Sequence, residues 1–110
     1  MGEIKIYRNI AKLKNIDMFY FDTKTQGMTI MCLHGMYGRA ETWVDFIEHY
    51  GKQYRIIALE LRGHGLSSKP ISKYTVEEMA EDVTELLDFL KIDSVILVGH
   101  SMGGEVGCYI

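Results

Sequence analysis

The sequence predicts an α/β fold with a mostly parallel sheet and helices on both of its faces. Three short apolar runs are typical of parallel strands that are covered on both sides. Two segments with helical periodicity lie between these runs, as expected of right-handed crossover connections. The strands are predicted at 28–33, 55–59 and 94–99, and the helices at 40–51 and 75–92.

An antiparallel hairpin is predicted before the first parallel strand. Residues 3–8 and 10–14 are short and mixed in character, and residues 16–23 are rich in aromatic side chains. Both features are typical of strands paired at one side of a sheet, and no helical period interrupts them. We therefore expect antiparallel strands at the N-terminal side of the sheet.

The two helices differ in how clearly the sequence marks them. Residues 40–51 carry apolar side chains at helical spacing, and Gly51 stands where a C-terminal glycine is expected. Residues 75–92 form the clearer helix, which opens on a capping box of Thr75 and Glu78. We expect the acidic side chains of this helix to face solvent; they are Glu77, Glu78, Glu81, Asp82, Glu85 and Asp88.

Composition excludes several classes of function. The 110 residues carry a net charge of −3, so no basic surplus favours nucleic acid or an anionic membrane as a partner. No apolar run approaches the ~18 residues of a spanning helix, and no signal-peptide pattern opens the chain, so we expect a cytoplasmic protein. Cys32 and Cys108 are expected to act as small hydrophobic side chains, although a catalytic or metal-binding role stays a weak alternative. No metal or organic cofactor is implied.

The candidate functional residues follow the parallel strands, beyond the C-terminal strand ends where such sheets bind ligands. Residues 99–103 read Gly-His-Ser-Met-Gly, the G-x-S-x-G pattern of a tight strand-to-helix turn that raises Ser101 above the strand end. Gly99 and Gly103 are needed because larger side chains would collide in this turn. The backbone N–H of Met102 would point to the same place. The alternative is a glycine-rich junction in which Ser101 only caps a helix.

A second loop, LHGMYG at 33–38, directly follows the first parallel strand. Gly35 permits a close approach, and the backbone N–H of Met36 is expected to be the second donor of an oxyanion hole. His34 is expected to hold the loop by hydrogen bonds. Four side chains are candidates for lining an apolar acyl pocket: Met36, Tyr37, Trp43 and Met102.

Three motifs, in this order and spacing, resemble the N-terminal half of the α/β-hydrolase fold family: LHGMYG at 33–38, ELRGHGLSS at 60–68 and GHSMGG at 99–104. They are similar to those of carboxylesterases, prolyl aminopeptidases, perhydrolase-type haloperoxidases and carbon–carbon bond hydrolases. The second motif opens on Glu60 where the family usually has Asp; since this motif chiefly organises a loop through its Arg, we expect little effect on chemistry. Ser101 stands where dehalogenases and epoxide hydrolases of this fold carry Asp, which argues against both.

The resemblance implies a serine hydrolase in which Ser101 attacks an ester or amide carbonyl and forms an acyl-enzyme. In the family, the catalytic acid follows a later strand and the histidine follows the last one, so residues 1–110 are interpreted as the N-terminal half of a domain that lacks both. His64 is a poor substitute for the base, and the chain alone is expected to be inactive. The alternative is a non-catalytic half-fold module that oligomerises or binds a partner.

The strand at 94–99 has a neighbour on each side in the family. Here one of its edges is expected to present unpaired N–H and C=O groups, which invites pairing with another chain. Besides a small ester or amide substrate, we therefore expect either self-association or a complementary C-terminal half at this edge.

Overall fold

A computed structural model describes residues 4–110 of the chain. It contains a five-stranded sheet and three α-helices, the first of which is preceded by a short 3-10 helix. The strands are β1 (Tyr7–Lys12), β2 (Asp17–Asp22), β3 (Thr29–Leu33), β4 (Arg55–Leu59) and β5 (Ile96–Gly99), the 3-10 helix is Ala40–Trp43, and the α-helices are α1 (Val44–Tyr50), α2 (Val76–Phe89) and α3 (Met102–Gly107).

The sheet is mixed, with the strand order β1-β2-β4-β3-β5. Strand β3 pairs in parallel with both β4 and β5, and β2 pairs antiparallel with both β1 and β4. Leu33 at the end of β3 lies opposite Leu59 on β4 and opposite Gly99 on β5. This register brings the loops after all three parallel strands to one edge of the sheet, as the sequence predicts for an α/β fold.

The N-terminal hairpin differs in detail from the prediction. Instead of two short strands at 3–8 and 10–14, one strand, β1, pairs with β2 along its whole length, from Tyr7 opposite Asp22 to Lys12 opposite Asp17. Residue 3 lies outside the described residues. The mixed composition of this segment reflects an edge strand whose side chains alternate between covered and exposed positions.

Helices cover both faces of the sheet, as predicted. Helices α2 and α3 pack on one face and α1 packs on the other, which is why the side chains of β3 and β4 are buried on both sides. The helical residues buried on the first face are Met79, Ala80, Val83, Leu86, Met102 and Val106, and those on the second are Ala40 and Ile47.

Helix α2 begins at the predicted capping box. The Thr75 hydroxyl accepts a hydrogen bond of 3.1 Å from the Glu78 amide, and the Glu78 carboxylate accepts one of 3.1 Å from the Thr75 amide. The prediction that all the acidic side chains of this helix face solvent is wrong for Asp82, which is 0% exposed. Its carboxylate receives two hydrogen bonds from Arg62, 2.6 Å from Nε and 2.8 Å from Nη2.

Strand β5 is shorter and more exposed than predicted. It begins at Ile96, a residue that is 47% exposed, and within residues 4–110 it pairs with β3 alone. The expectation of a strand buried on both faces is therefore wrong for β5 in this chain. Among the described residues its other edge pairs with no strand, as predicted.

The cysteines differ from one another. Cys32 is buried in β3, where burial raises the pKa of its thiol to about 12, whereas Cys108 is exposed beyond α3 and does not act as a core side chain. No helix within the described part of the chain is long and apolar enough to cross a membrane.

Candidate active site

The turn between β5 and α3 holds Ser101 in a backbone conformation that side-chain-bearing residues rarely adopt, with φ 54° and ψ −116°. Two glycines make this turn possible. A Cβ at Gly99 would lie 2.6 Å from the Gly104 amide nitrogen, and one at Gly103 would lie 2.1 Å from the Leu33 carbonyl oxygen. Both are closer than real Cβ contacts, so only glycine fits at either position without movement of the backbone.

The Ser101 side chain takes no part in holding the turn. Its hydroxyl caps no amide of α3, and it makes no hydrogen bond to any residue within 4–110. The alternative in which this serine only caps a helix is therefore wrong. The residue is exposed at the end of β5, where its hydroxyl is free to meet another molecule.

The loop after β3 lies directly against Ser101. A Cβ on Gly35 would lie 2.9 Å from Nδ1 of His100 and 3.4 Å from Cβ of Ser101. The Gly38 amide donates a hydrogen bond of 2.9 Å to the Gly35 carbonyl, which closes a turn with Tyr37 in the left-handed region at φ 66°. The close approach is thus made at a glycine, while the positive φ falls on a tyrosine.

Two backbone amides near Ser101 have no protein acceptor. Within residues 4–110, neither the Met36 amide nor the Met102 amide donates a hydrogen bond. Met102 is the first residue of α3, where the unsatisfied N–H groups and the helix dipole favour negative charge. Both amides therefore keep an unused hydrogen-bond donor within the described residues.

His34 fixes the base of this loop. Its Nε2 accepts a 3.0 Å hydrogen bond from the Leu61 amide, so the proton of the neutral ring resides on Nδ1, which donates to the Gly35 carbonyl at 2.7 Å. Burial lowers the pKa of His34, and the hydrogen bond to Gly35 offsets part of this effect. The structural role predicted for His34 is confirmed by these two bonds.

The His34 environment predicts a loss of stability in mild acid. Because the pKa of His34 is lower in the folded chain than its unfolded value of about 6.5, the unfolded chain binds more protons below that pH. The free energy of unfolding is therefore expected to be level above pH 7 and to fall as the pH drops below about 6.5. Urea unfolding of the wild type between pH 5 and 8 measures it.

The matched control is the exposed His49, which lies on α1. His49→Gln should keep the same pH dependence, whereas His34→Gln should flatten it and lower stability at pH 8. An unchanged slope in His34→Gln would show that another group is responsible.

Glu60 joins two of the site loops. Its buried carboxylate accepts hydrogen bonds from the Leu66 amide at 2.7 Å and from the Ala40 amide at 3.0 Å. It lies against Gly65, where a Cβ would stand 2.1 Å from the carboxylate. The expectation that this motif works chiefly through its arginine is therefore wrong, because Glu60 itself connects the loop after β4 to the residues that follow the loop after β3.

The rest of the second motif ties the same loop to its surroundings. Arg62 pairs with Asp82 on α2, and the hydroxyls of Ser67 and Ser68 accept hydrogen bonds from the β2 amides of Phe19 and Asp17, at 2.9 and 2.8 Å. The loop is thus anchored to both the sheet and the helix, and it forms a fixed wall beside the serine turn.

A cleft of about 570 Å³ opens between these loops. Met36, Tyr37 and Met102 line it, so the prediction that they line a pocket is confirmed. Trp43 does not line it; the indole packs against Phe46 with the ring centroids 5.8 Å apart, on the opposite face of the sheet. The remaining lining residues are Gly38, Arg39, Gly63, His64, Gly65, Lys69, Tyr74 and Met79.

None of the four histidines of the chain forms a hydrogen bond with Ser101. Both ring nitrogens of His34 are engaged, and His49 lies on α1. His64 lines the cleft with its ring centroid 4.7 Å from that of His34. His100 packs against the loop after β3. Within the described residues, no histidine is therefore placed to take the proton of the serine hydroxyl through a hydrogen bond.

Known proteins share the fold of this chain. A family model described as alpha/beta hydrolase fold matches residues 29–110. The chain is 36% identical over 105 residues to a soluble epoxide hydrolase of Corynebacterium sp., covering 96% of this chain and 36% of that protein. It is 30% identical over 101 residues to (E)-2-((N-methylformamido)methylene)succinate hydrolase of Acinetobacter baylyi, covering 92% and 38%. The solved structure of epoxide hydrolase CorEH without ligand superposes with a TM-score of 0.90 at 33% identity, covering 96% of this chain and 37% of that one.

The chain therefore belongs to the α/β-hydrolase fold family. It spans little more than a third of the length of the two curated relatives, 36% and 38%. The resemblance read from the three motifs is confirmed, as is the fold they imply.

Proposed function

We propose that this chain supplies the nucleophile and the oxyanion hole of a serine hydrolase acting on an ester or amide carbonyl. The observation that carries the proposal is the strained Ser101 turn, which leaves the hydroxyl uncommitted beside the unengaged amides of Met36 and Met102. Strain of this kind persists where the surrounding structure enforces it, and it is concentrated at functional sites.

The proposed reaction proceeds through an acyl-enzyme. Oγ of Ser101 attacks the carbonyl carbon while a histidine outside residues 1–110 accepts its proton, and the N–H groups of Met36 and Met102 stabilise the resulting oxyanion. The C–O or C–N bond then breaks, and the leaving group departs with that proton. Water activated by the same base releases the acid and restores the serine.

A carbonyl substrate is favoured over an epoxide, although some relatives are named as epoxide hydrolases. Epoxide hydrolases of this fold carry Asp at the nucleophile position, by the resemblance stated above, whereas this chain has Ser101. Another relative is named as the hydrolase of a formamido compound. A serine alkoxide suits acyl transfer, because its ester intermediate is opened by water.

The catalytic acid and histidine are proposed to join through the free edge of β5. This edge continues the sheet beside the nucleophile turn, and Ile96 on it is exposed. Either a continuing polypeptide or a second chain would pair there and bring the missing groups to Ser101. The two free cysteines fit a cytoplasmic location.

A thiol placed at position 101 tests the site without needing the absent base. In a Cys108→Ser background, we expect Ser101→Cys to be acylated by p-nitrophenyl acetate at least about ten-fold faster than Ser94→Cys, after correction for thiolate fraction, because only the first lies beside the oxyanion donors. Ser94 is likewise exposed, and the buried Cys32 thiol should not react. The p-nitrophenol burst and the mass of the adduct report the rate and the position.

One result would contradict the proposed oxyanion hole, and another would contradict the proposed location of the base. Equal acylation rates at positions 101 and 94 would show that the amides beside Ser101 do not stabilise an oxyanion. That result would favour the non-catalytic half-fold module. Steady turnover by the wild type above that of Ser101→Ala would show that a base lies within residues 1–110, so that the chain is not catalytically incomplete.

A further inference from the structure

The cleft beside the serine turn has an apolar interior. The side chains of Met79, Met102 and Tyr74 line it together with Met36, and three of these four are thioethers. Methionine adapts its shape to a flexible hydrocarbon chain. The cleft volume of about 570 Å³ falls in the range of small-molecule sites.

The charged residues of the cleft are all cationic. Arg39 and Lys69 line it, and no Asp or Glu does. This distribution opposes that of the whole chain, which has 15 acidic and 12 basic residues. Of the other arginines nearby, Arg62 is neutralised by Asp82 and does not line the cleft.

The Lys69 ammonium is held in place by backbone oxygens. Its Nζ donates a 2.6 Å hydrogen bond to the Gly65 carbonyl and a longer one of 3.4 Å to the Ser67 carbonyl. Within residues 4–110 no carboxylate lies within ion-pair distance of it. An ammonium has three donors, so one N–H and the full positive charge are left for a ligand.

The second cation is only weakly paired. Nε of Arg39 lies 3.8 Å from a Glu41 oxygen, and both side chains are largely exposed; such a pair is worth little. The Glu60 carboxylate, which lies against Gly65, accepts two backbone amide hydrogen bonds that offset part of its charge.

We propose that the cleft selects substrates that combine a short hydrocarbon chain with a carboxylate remote from the scissile carbonyl. The chain would lie against the methionines, with the carboxylate at Lys69 and Arg39 and the ester or amide carbonyl at Ser101. This inference rests on the proposed function for the reaction, but the binding of the anionic group does not require any chemistry at Ser101.

Binding of a simple amphiphile tests it. We expect hexanoate to bind the 110-residue chain at least about five-fold more tightly than 1-hexanol at low ionic strength, measured by NMR shifts of the backbone amides. Lys69→Gln should weaken hexanoate about five-fold and leave hexanol unchanged, and Arg39→Gln should add to the loss. Lys52→Gln, at an exposed position outside the cleft, is the matched control. Added salt should erode the preference, since exposed charges are screened.

Equal affinity for hexanoate and hexanol, or a loss in Lys52→Gln as large as in Lys69→Gln, would overturn the inference. A failure of the proposed function looks different, because hexanoate would still prefer the cleft while Ser101→Cys resisted acylation. If the inference alone fails, Ser101→Cys should react as fast with p-nitrophenyl hexanoate as with mono-p-nitrophenyl adipate.

Discussion

Replacing Asp82 with alanine is expected to lower the free energy of unfolding by about 3–5 kcal/mol, because it leaves the buried Arg62 guanidinium without its carboxylate partner. Arg62 is 5% exposed and Asp82 is 0% exposed, so without the carboxylate the guanidinium keeps only Glu78, 3.5 Å away, and a long hydrogen bond of 3.4 Å to Ser72. The same substitution releases the loop after β4 from α2, so acylation of a thiol at position 101 should also slow.

Urea unfolding at pH 7.5 measures this effect, with two matched variants. Glu81→Ala removes an exposed carboxylate from the same helix and should change stability by less than about 0.5 kcal/mol. The double replacement Arg62→Met with Asp82→Leu should recover most of the loss, since a buried ion pair can often be replaced by apolar side chains. If Asp82→Ala costs no more than Glu81→Ala, the pair is not buried in solution.

The burial of Asp82 could not be predicted from the sequence. An amphipathic pattern predicts helix α2 from local spacing, and its capping box fixes the N-terminus. The pattern assigns every charge to solvent, because the partner that permits burial of Asp82 lies 20 residues away in a loop. Such a pairing depends on the tertiary arrangement.

In the candidate active site, too, the sequence predicts local features but not the contacts between distant residues. The G-x-S-x-G pattern predicts a tight turn because its steric demands are local, and the structure meets them at Gly99 and Gly103. The hydrogen bond from the Ala40 amide to the Glu60 carboxylate joins two separate loops, so the sequence of neither loop predicts it. The same holds for Tyr37, which takes the positive φ in a loop where two glycines stand nearby.

Strand β5 fails the burial prediction for a different reason. Its apolar run is typical of a strand covered on both faces. Within residues 4–110 the strand pairs with β3 alone and Ile96 is exposed, because burial depends on which elements pack on the strand and not on its composition. The apolar composition of β5 therefore does not by itself show how far the strand is covered.

Gly103→Ala is expected to cost about 3 kcal/mol of stability or more, an overpacking effect at the upper end of the usual range. A Cβ at Gly103 would lie 2.1 Å from the Leu33 carbonyl oxygen and 2.6 Å from that of His34. Both are backbone atoms at the root of the loop that carries Met36, so relief of the overlap must move α3 away from β3. The amides of Met36 and Met102, which we propose as oxyanion donors, would then separate, and acylation at position 101 should fall with stability.

Gly104→Ala separates this steric effect from helix propensity, because the two glycines are neighbours in α3. A Cβ at Gly104 meets only Gly99 atoms at 3.7 and 3.9 Å, which is ordinary contact. Alanine there should raise stability by about 0.5–1 kcal/mol, the usual gain over glycine within a helix. Thermal unfolding of both variants measures the contrast. If Gly103→Ala is as stable as Gly104→Ala, the close packing of the serine turn against β3 is wrong, and with it the geometry that places Ser101 beside the Met36 amide.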